Sequence, residues 1–226
     1  MDKVELLRKV SLFADLSDVE LEALAESTRR RTFAKDMIIF HKDSPGESLY
    51  LIESGRVRIF ILSESGQEIS VNLYGPGEVF GELSLLDGLP RSAGAMALED
   101  TVTLALHRDD FVRRLEANAQ MATSILKVLS ERVRYTTAYA ESLAFLDVYR
   151  RVASKLLELA ERYGVESDGI EIQLRLTQSE LATWVGATRE SVNKVLGTFR
   201  ELGLIDIANQ RITILDKPGL RRRITY

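Results

Sequence analysis

Residues 80–93 read Phe80-Gly81-Glu82-Leu83-Ser84-Leu85-Leu86-Asp87-Gly88-Leu89-Pro90-Arg91-Ser92-Ala93. Their chemistry suits a small anion that also carries hydroxyls. Arg91 can fork onto two oxygens of a phosphate. Ser92 adds a hydroxyl, and the amides around Arg91 to Ala93 can converge on the anion as a nest. Glu82 would repel a phosphate it faced, so its use is as an acceptor for a sugar hydroxyl. A glutamate and an arginine in one short segment also make an ordinary surface ion pair, worth little. The whole string favours the other reading, because a phosphate and a ribose held together make a nucleotide site.

A second chemical cluster lies in residues 177–205. Thr177 with Glu180 forms a capping box that starts a short helix through Val185, Gly186 supplies a tight turn, and Thr188 can cap a second helix from Arg189. Leu181, Val185, Val192, Val195 and Leu196 would knit the two helices together. The pattern predicts a helix-turn-helix whose second helix presents Arg189, Glu190, Asn193 and Lys194 outward. Thr177, Ser179, Thr188 and Ser191 are placed to grip phosphates. A generic exposed helix pair with charged residues is the plain alternative, but Arg189 and Glu190 open the helix, where a reading helix meets base edges. Alternation over 204–207 and 211–215, around Asn209-Gln210, predicts a winged hairpin.

These clusters need elements to hold them. Ser17 and Glu20 form a capping box before an amphipathic helix over 17–27. Short β-type runs follow at 37–40, 48–52, 56–62, 68–73 and 101–106, punctuated by glycines, and predict an antiparallel roll or barrel around the first cluster. Residues 109–145 contain neither glycine nor proline and predict one long helix. Ala122, Leu126, Leu129, Val133, Thr136, Ala140 and Leu143 recur along it alternately four and three apart, the repeat of a parallel two-stranded seam. A helix packed only on its own domain is the alternative to this homodimer. Thr136, followed by Thr137, places a hydroxyl in the seam that needs a partner or must bond back to its own helix. Asp147 caps a further helix over 148–163 with Val152, Leu156, Leu159 and Tyr163 as its stripe, then a polar connection over 164–169 leads to a strand at 170–174. The expected division is 1–108, 109–146 and 147–226.

Composition narrows the class. The chain has 226 residues, 45% of them hydrophobic, enough for two ordinary domains. It has no cysteine, which excludes disulfides, thiolate chemistry and cysteine-ligated clusters, and only two histidines, His41 and His107. No metal site is expected. There is no Walker loop and no nucleophile with a base signature, so no enzyme is expected. No apolar run approaches the ~20 residues of a membrane span, and the first residues lack the apolar core of a signal peptide, so the expected location is cytoplasmic. The net charge of −4 divides into −6 over residues 1–146 and +2 over 147–226, which places the relatively basic part where DNA contact is expected.

The stretch 80–93, the string Ala187-Thr188-Arg189-Glu190-Ser191-Val192 and the order of elements resemble the cyclic-AMP receptor protein family of bacterial transcription regulators. The resemblance covers most of the chain. It implies an α+β protein with an antiparallel β-roll effector domain, a long dimerisation helix and a winged helix-turn-helix DNA-binding domain. In that family the carboxylate of Gly81-Glu82-Leu83 would hold the ribose 2′-hydroxyl, and Arg91 and Ser92, with Ala93, would hold the cyclic phosphate. Val71 joins this set, and Thr136 and Thr137 would meet adenine, one from each subunit, so that binding sets the dimer. Arg189 would donate to guanine O6 and N7, and Glu190 would accept from cytosine N4. Lys194 stands where many members have arginine, and lysine donates without the planar fork. The resemblance implies cyclic AMP as allosteric ligand, a pseudo-palindromic double-stranded DNA target, and RNA polymerase contact through 165–173. Cyclic GMP, repression in place of activation, and a constitutive regulator with a vestigial pocket or another effector all remain open on the residues. Arg221-Arg222-Arg223 add phosphate contacts or form a solvated tail.

Overall fold

The glycine-punctuated runs of the first half pair as two antiparallel sheets. In the computed structural model, which describes residues 2–224, two helices, α1 (Lys3–Arg8) and α2 (Asp18–Ser27), precede eight strands. The strands are β1 (Thr28–Phe33), β2 (Ile38–Phe40), β3 (Ser48–Ser54), β4 (Val57–Leu62), β5 (Glu68–Tyr74), β6 (Val79–Phe80), β7 (Gly94–Ala97) and β8 (Thr101–His107), with a short helix α3 (Leu83–Asp87) between β6 and β7. One sheet runs β1-β8-β3-β6 and the other β2-β7-β4-β5. The period of two along β3 and β8 sorts residues to two cores. Leu49, Leu51, Leu104 and Leu106 meet the helical layer through Leu7, Phe13, Leu24 and Phe111. Ile52, Val57, Tyr74, Phe80 and Ala95 fill the interior between the sheets.

The described chain forms two compact units, residues up to 67 with 71–135, and 136–224 with 68–70. The stretch expected as one unbroken helix is two, α4 (Arg108–Ala117) and α5 (Ala119–Phe145). Asn118 makes the break: its backbone leaves the helical region at φ −131° and ψ 103°, and its carboxamide oxygen accepts from the amides of Gln120 and Met121 at 3.0 Å each. Asparagine is among the best helix N-caps, so a chain free of glycine and proline can still be cut there. α5 buries Met121, Ser124 and Ile125 in the first unit. Leu126 and Val133 of its heptad seam are 63% and 66% exposed.

In the second unit α6 (Val148–Tyr163) starts on Asp147, whose carboxylate accepts from the Arg150 amide. Residues 164–174, expected as a polar connection and one strand, form a hairpin of β9 (Gly164–Ser167) and β10 (Gly169–Ile172). Then come α7 (Gln178–Val185), α8 (Arg189–Glu201), β11 (Ile205–Ala208), β12 (Arg211–Ile214) and α9 (Lys217–Arg222), with the third sheet ordered β11-β12-β10-β9. Asn209 and Gln210 both take positive φ, 50° and 62°, the two-residue turn that matches the twist of a hairpin. No helix of the described residues is long and apolar enough to cross a membrane.

Candidate functional site

Two short elements build the first site. β6 delivers the chain to Gly81, and α3 then carries it away from Glu82. Gly81 has φ +82°, and a β-carbon there would lie 2.7 Å from Arg91 Nη1, so a side chain would meet both backbone strain and the arginine. Arg91 is buried. Its Nη1 donates to the Gly81 carbonyl at 2.5 Å, its Nη2 to the Ser48 carbonyl at 2.6 Å, and its guanidinium lies 4.2 Å over the Phe40 ring. Burial pushes the guanidinium down from its ordinary value, with Tyr50 and Glu82 acting the other way. Phe40, Tyr50 and Phe80 wall the interior beside it, the last two stacked at 5.2 Å.

Glu82 is 1% exposed. Its Oε1 accepts from Arg132 of α5, which also donates to the Val79 carbonyl and lies 4.8 Å over the Tyr74 ring. The Tyr74 hydroxyl accepts from the Asn72 carboxamide at 2.9 Å, and burial pushes that phenol up to about 12. Two atoms of this assembly are buried without a partner among the described residues: Glu82 Oε2, an acceptor, and Arg91 Nε, a donor. Such orphans are costly. A ligand carrying a hydroxyl and an anionic oxygen complements both, so the residues fit a nucleotide.

Of the residues singled out in the sequence, Gly81, Glu82 and Arg91 come together. Leu83 is partly exposed at the start of α3, Ser92 is exposed, Ala93 is half-buried, and Val71 is half-buried on β5. Thr136 and Thr137 are exposed on α5 and belong to the second unit. Arg132, Tyr74 and Phe40 escaped the sequence reading. A buried glutamate demands a cation, but nothing in the sequence says which of the chain's basic residues reaches it. Arg132→Ala is expected to destabilise the first unit by about 3 kcal/mol, because it strands a buried charge. Denaturant unfolding checks this: in a Glu82→Gln background the loss should shrink, and an equal loss in both backgrounds would make Arg132 a packing residue only.

The second site is the α7–α8 pair. Thr177 accepts from the Glu180 amide and the Glu180 carboxylate accepts from the Thr177 amide, the expected capping box. Gly186 turns the chain at φ +58°, and Thr188 accepts from the Ser191 amide at 3.2 Å. Trp184, Val185, Val192, Leu196 and Phe199 are buried, while Arg189, Glu190, Asn193 and Lys194 are exposed. Thr177, Ser179 and Thr188 are exposed and Ser191 is half-buried. The Glu190 amide, the Thr188 hydroxyl and the charge of Arg189 hold the Glu190 carboxyl below the usual carboxylate range, so it stays an acceptor at neutral pH. Arg221 and Arg222 lie on α9 in ion pairs with Glu161 at 3.6 Å and Asp216 at 3.7 Å.

Comparison with known proteins follows this division. The model of the cyclic nucleotide-binding domain matches residues 30–118, and that of the Crp-like helix-turn-helix domain matches residues 150–223. A CRP-like cAMP-activated global transcriptional regulator of Mycobacterium tuberculosis is 33% identical over 220 residues, covering 97% of this chain and 98% of that protein. The cyclic AMP receptor protein of Thermus thermophilus is 36% identical over 194 residues, 86% and 87% of the two chains. Among solved structures, a CRP-family transcriptional regulator from Thermus thermophilus superposes with a TM-score of 0.74 at 28% identity, over 87% of this chain and 97% of the other.

Proposed function

The chain belongs to the CRP family of non-enzymatic, DNA-binding transcription regulators, and from that premise we propose that it is a homodimer whose sequence-specific DNA binding is switched by cyclic AMP. The observation that carries the ligand reading is the pair of buried orphans, Glu82 Oε2 and Arg91 Nε, in one cradle. The ribose 2′-hydroxyl would donate to Glu82, whose other oxygen is already compensated by Arg132. The cyclic phosphate would accept from Arg91, joined by the Ser92 hydroxyl and the amides near Ala93. The phosphate would meet the unpartnered Arg91 Nε while Nη1 and Nη2 keep the Gly81 and Ser48 carbonyls, so the same side chain fastens the cradle and holds the anion. Thr136 and Thr137 supply hydroxyls for the base. The exposed Leu126 and Val133 would be covered by a second copy, as the heptad spacing requires.

In such a dimer the two α8 helices would enter successive major-groove faces about 34 Å apart. Arg189, Glu190 and Lys194 would read bases, while Thr177, Ser179, Thr188 and Ser191 would hold phosphates. The ligand gates this only through unequal affinity for the two dimer states. The β9–β10 hairpin, with Val165 exposed, is the surface offered to RNA polymerase, and a regulator that acts on DNA in a bacterial cell works in the cytoplasm. Calorimetric titration tests the ligand directly. Cyclic AMP is expected to give saturable heat with one site per chain. Absence of heat with cyclic AMP, against a saturable signal from cyclic GMP, would reassign the base; absence with both would remove the nucleotide.

A further inference from the structure

Lys155 is a charge in an apolar place. It lies on the inner face of α6, 6% exposed, among residues that the helical period devotes to the core. Its Nζ is 5.2 Å from the Trp184 ring of α7 and 6.0 Å from the Tyr139 ring of α5, and it donates to Glu158 Oε2 at 2.5 Å. Burial pushes this ammonium down from its ordinary value, with Glu158 holding it up. Trp184 is 1% exposed. The Tyr139 hydroxyl and the Trp184 indole N–H are both buried without a hydrogen-bond partner among the described residues. A lysine is almost never this buried unless something holds the charge, and a cation over an aromatic face gains most when water is excluded, tryptophan being the best partner.

We propose that Lys155 is a positioning residue that ties the end of α5 to the first helix of the helix-turn-helix. The chain between α5 and α6 is a two-residue elbow, Leu146-Asp147. Arg151 already bridges it on one side, donating from Nη1 to the Leu146 carbonyl and from Nε to the Val185 carbonyl at 2.8 Å each. The Tyr139–Lys155–Trp184 stack bridges it on another. With both ties in place a displacement of α5 is passed to α7 and so to α8, instead of being absorbed at the elbow. The functional consequence rests on the proposal that a ligand moves α5; the tie itself does not.

The test compares Lys155→Met, which keeps the stem and loses the charge, with Lys155→Arg, which keeps a cation for the rings. Hydrogen exchange on the full chain without ligand reads the tie. In Lys155→Met the amides of 136–145 should exchange about tenfold faster or more while those of 189–201 stay protected, and Lys155→Arg should remain near wild type. Trp184, the single tryptophan of the chain, should shift its fluorescence in the Met variant only. In the same proteins the gain in DNA affinity on adding cyclic AMP should fall about tenfold in Lys155→Met, with cyclic AMP affinity itself retained. Unchanged exchange over 136–145 in Lys155→Met, or equal damage in the Met and Arg variants, overturns the proposal. A wild-type chain that gains nothing from cyclic AMP would instead remove the ligand, and the exchange pattern alone would then decide the tie.

Discussion

Arg91→Leu is expected to weaken cyclic AMP binding by about 30-fold or more, since removing one partner of a buried charge-assisted contact costs about 2–5 kcal/mol. Two features of the fold make the loss that large. Arg91 is buried beneath the Phe40 ring, so no water would replace its bonds to phosphate. Its fork also holds the Gly81 and Ser48 carbonyls, so the leucine variant leaves the cradle itself unfastened. Arg91→Lys separates the two effects, because it keeps the charge but cannot span both carbonyls. The lysine variant should fold and bind with an intermediate loss. Calorimetric heat unchanged from wild type in a folded Arg91→Leu protein would place the ligand elsewhere.

Arg189→Ala is the second large effect, and it separates two kinds of DNA contact. Arg189 is the first residue of α8, exposed just past the Thr188 cap, where a reading helix meets base edges. A bidentate contact to guanine contributes about 1–3 kcal/mol of discrimination, so affinity for the specific site should fall about 5- to 150-fold. Binding to unrelated duplexes should barely change. Were Arg189 a phosphate contact, the loss would be uniform across sequences and the salt dependence would flatten by about one counterion. Competition between specific and random duplexes at several salt concentrations distinguishes the two.

Local signals were the ones the sequence carried well. Thr177 with Glu180, and Thr188 before Arg189, each specify a helix start by a bond three residues on, and Gly186 ends α7 by its positive φ; each is where the structure has it. The strand alternation likewise announced an antiparallel roll, though not β1, β6 or β7 nor the order of its strands. What stayed hidden depends on partners distant in sequence. Glu82 stood out, but its cation is Arg132, fifty residues on, and only the placement of α5 against the roll joins them. Lys155 reads as an ordinary charged position of an amphipathic helix until Tyr139 and Trp184 close over it. Asn118 shows a different limit: a side-chain cap broke a helix that composition alone allowed to continue.

The two sites thus divide the labour along the chain. The first unit holds a cradle whose orphaned acceptor and donor fit a hydroxylated anion. The second presents the helix-turn-helix, with Arg189, Glu190 and Lys194 of α8 exposed. α5 contributes residues to both units, and the proposed gating runs along it. That gating must be a difference in DNA affinity between the free and bound forms.

The most direct measurement is a DNA-binding titration on a symmetric duplex with half-sites about one helical turn apart, with and without cyclic AMP, at fixed salt near 0.15 M. Cyclic AMP is expected to tighten specific binding at least about tenfold, a coupling of ~1.4 kcal/mol, with the gain absent in Arg91→Leu. Tight specific binding that ignores cyclic AMP, in a protein that binds the nucleotide by calorimetry, would contradict the gating.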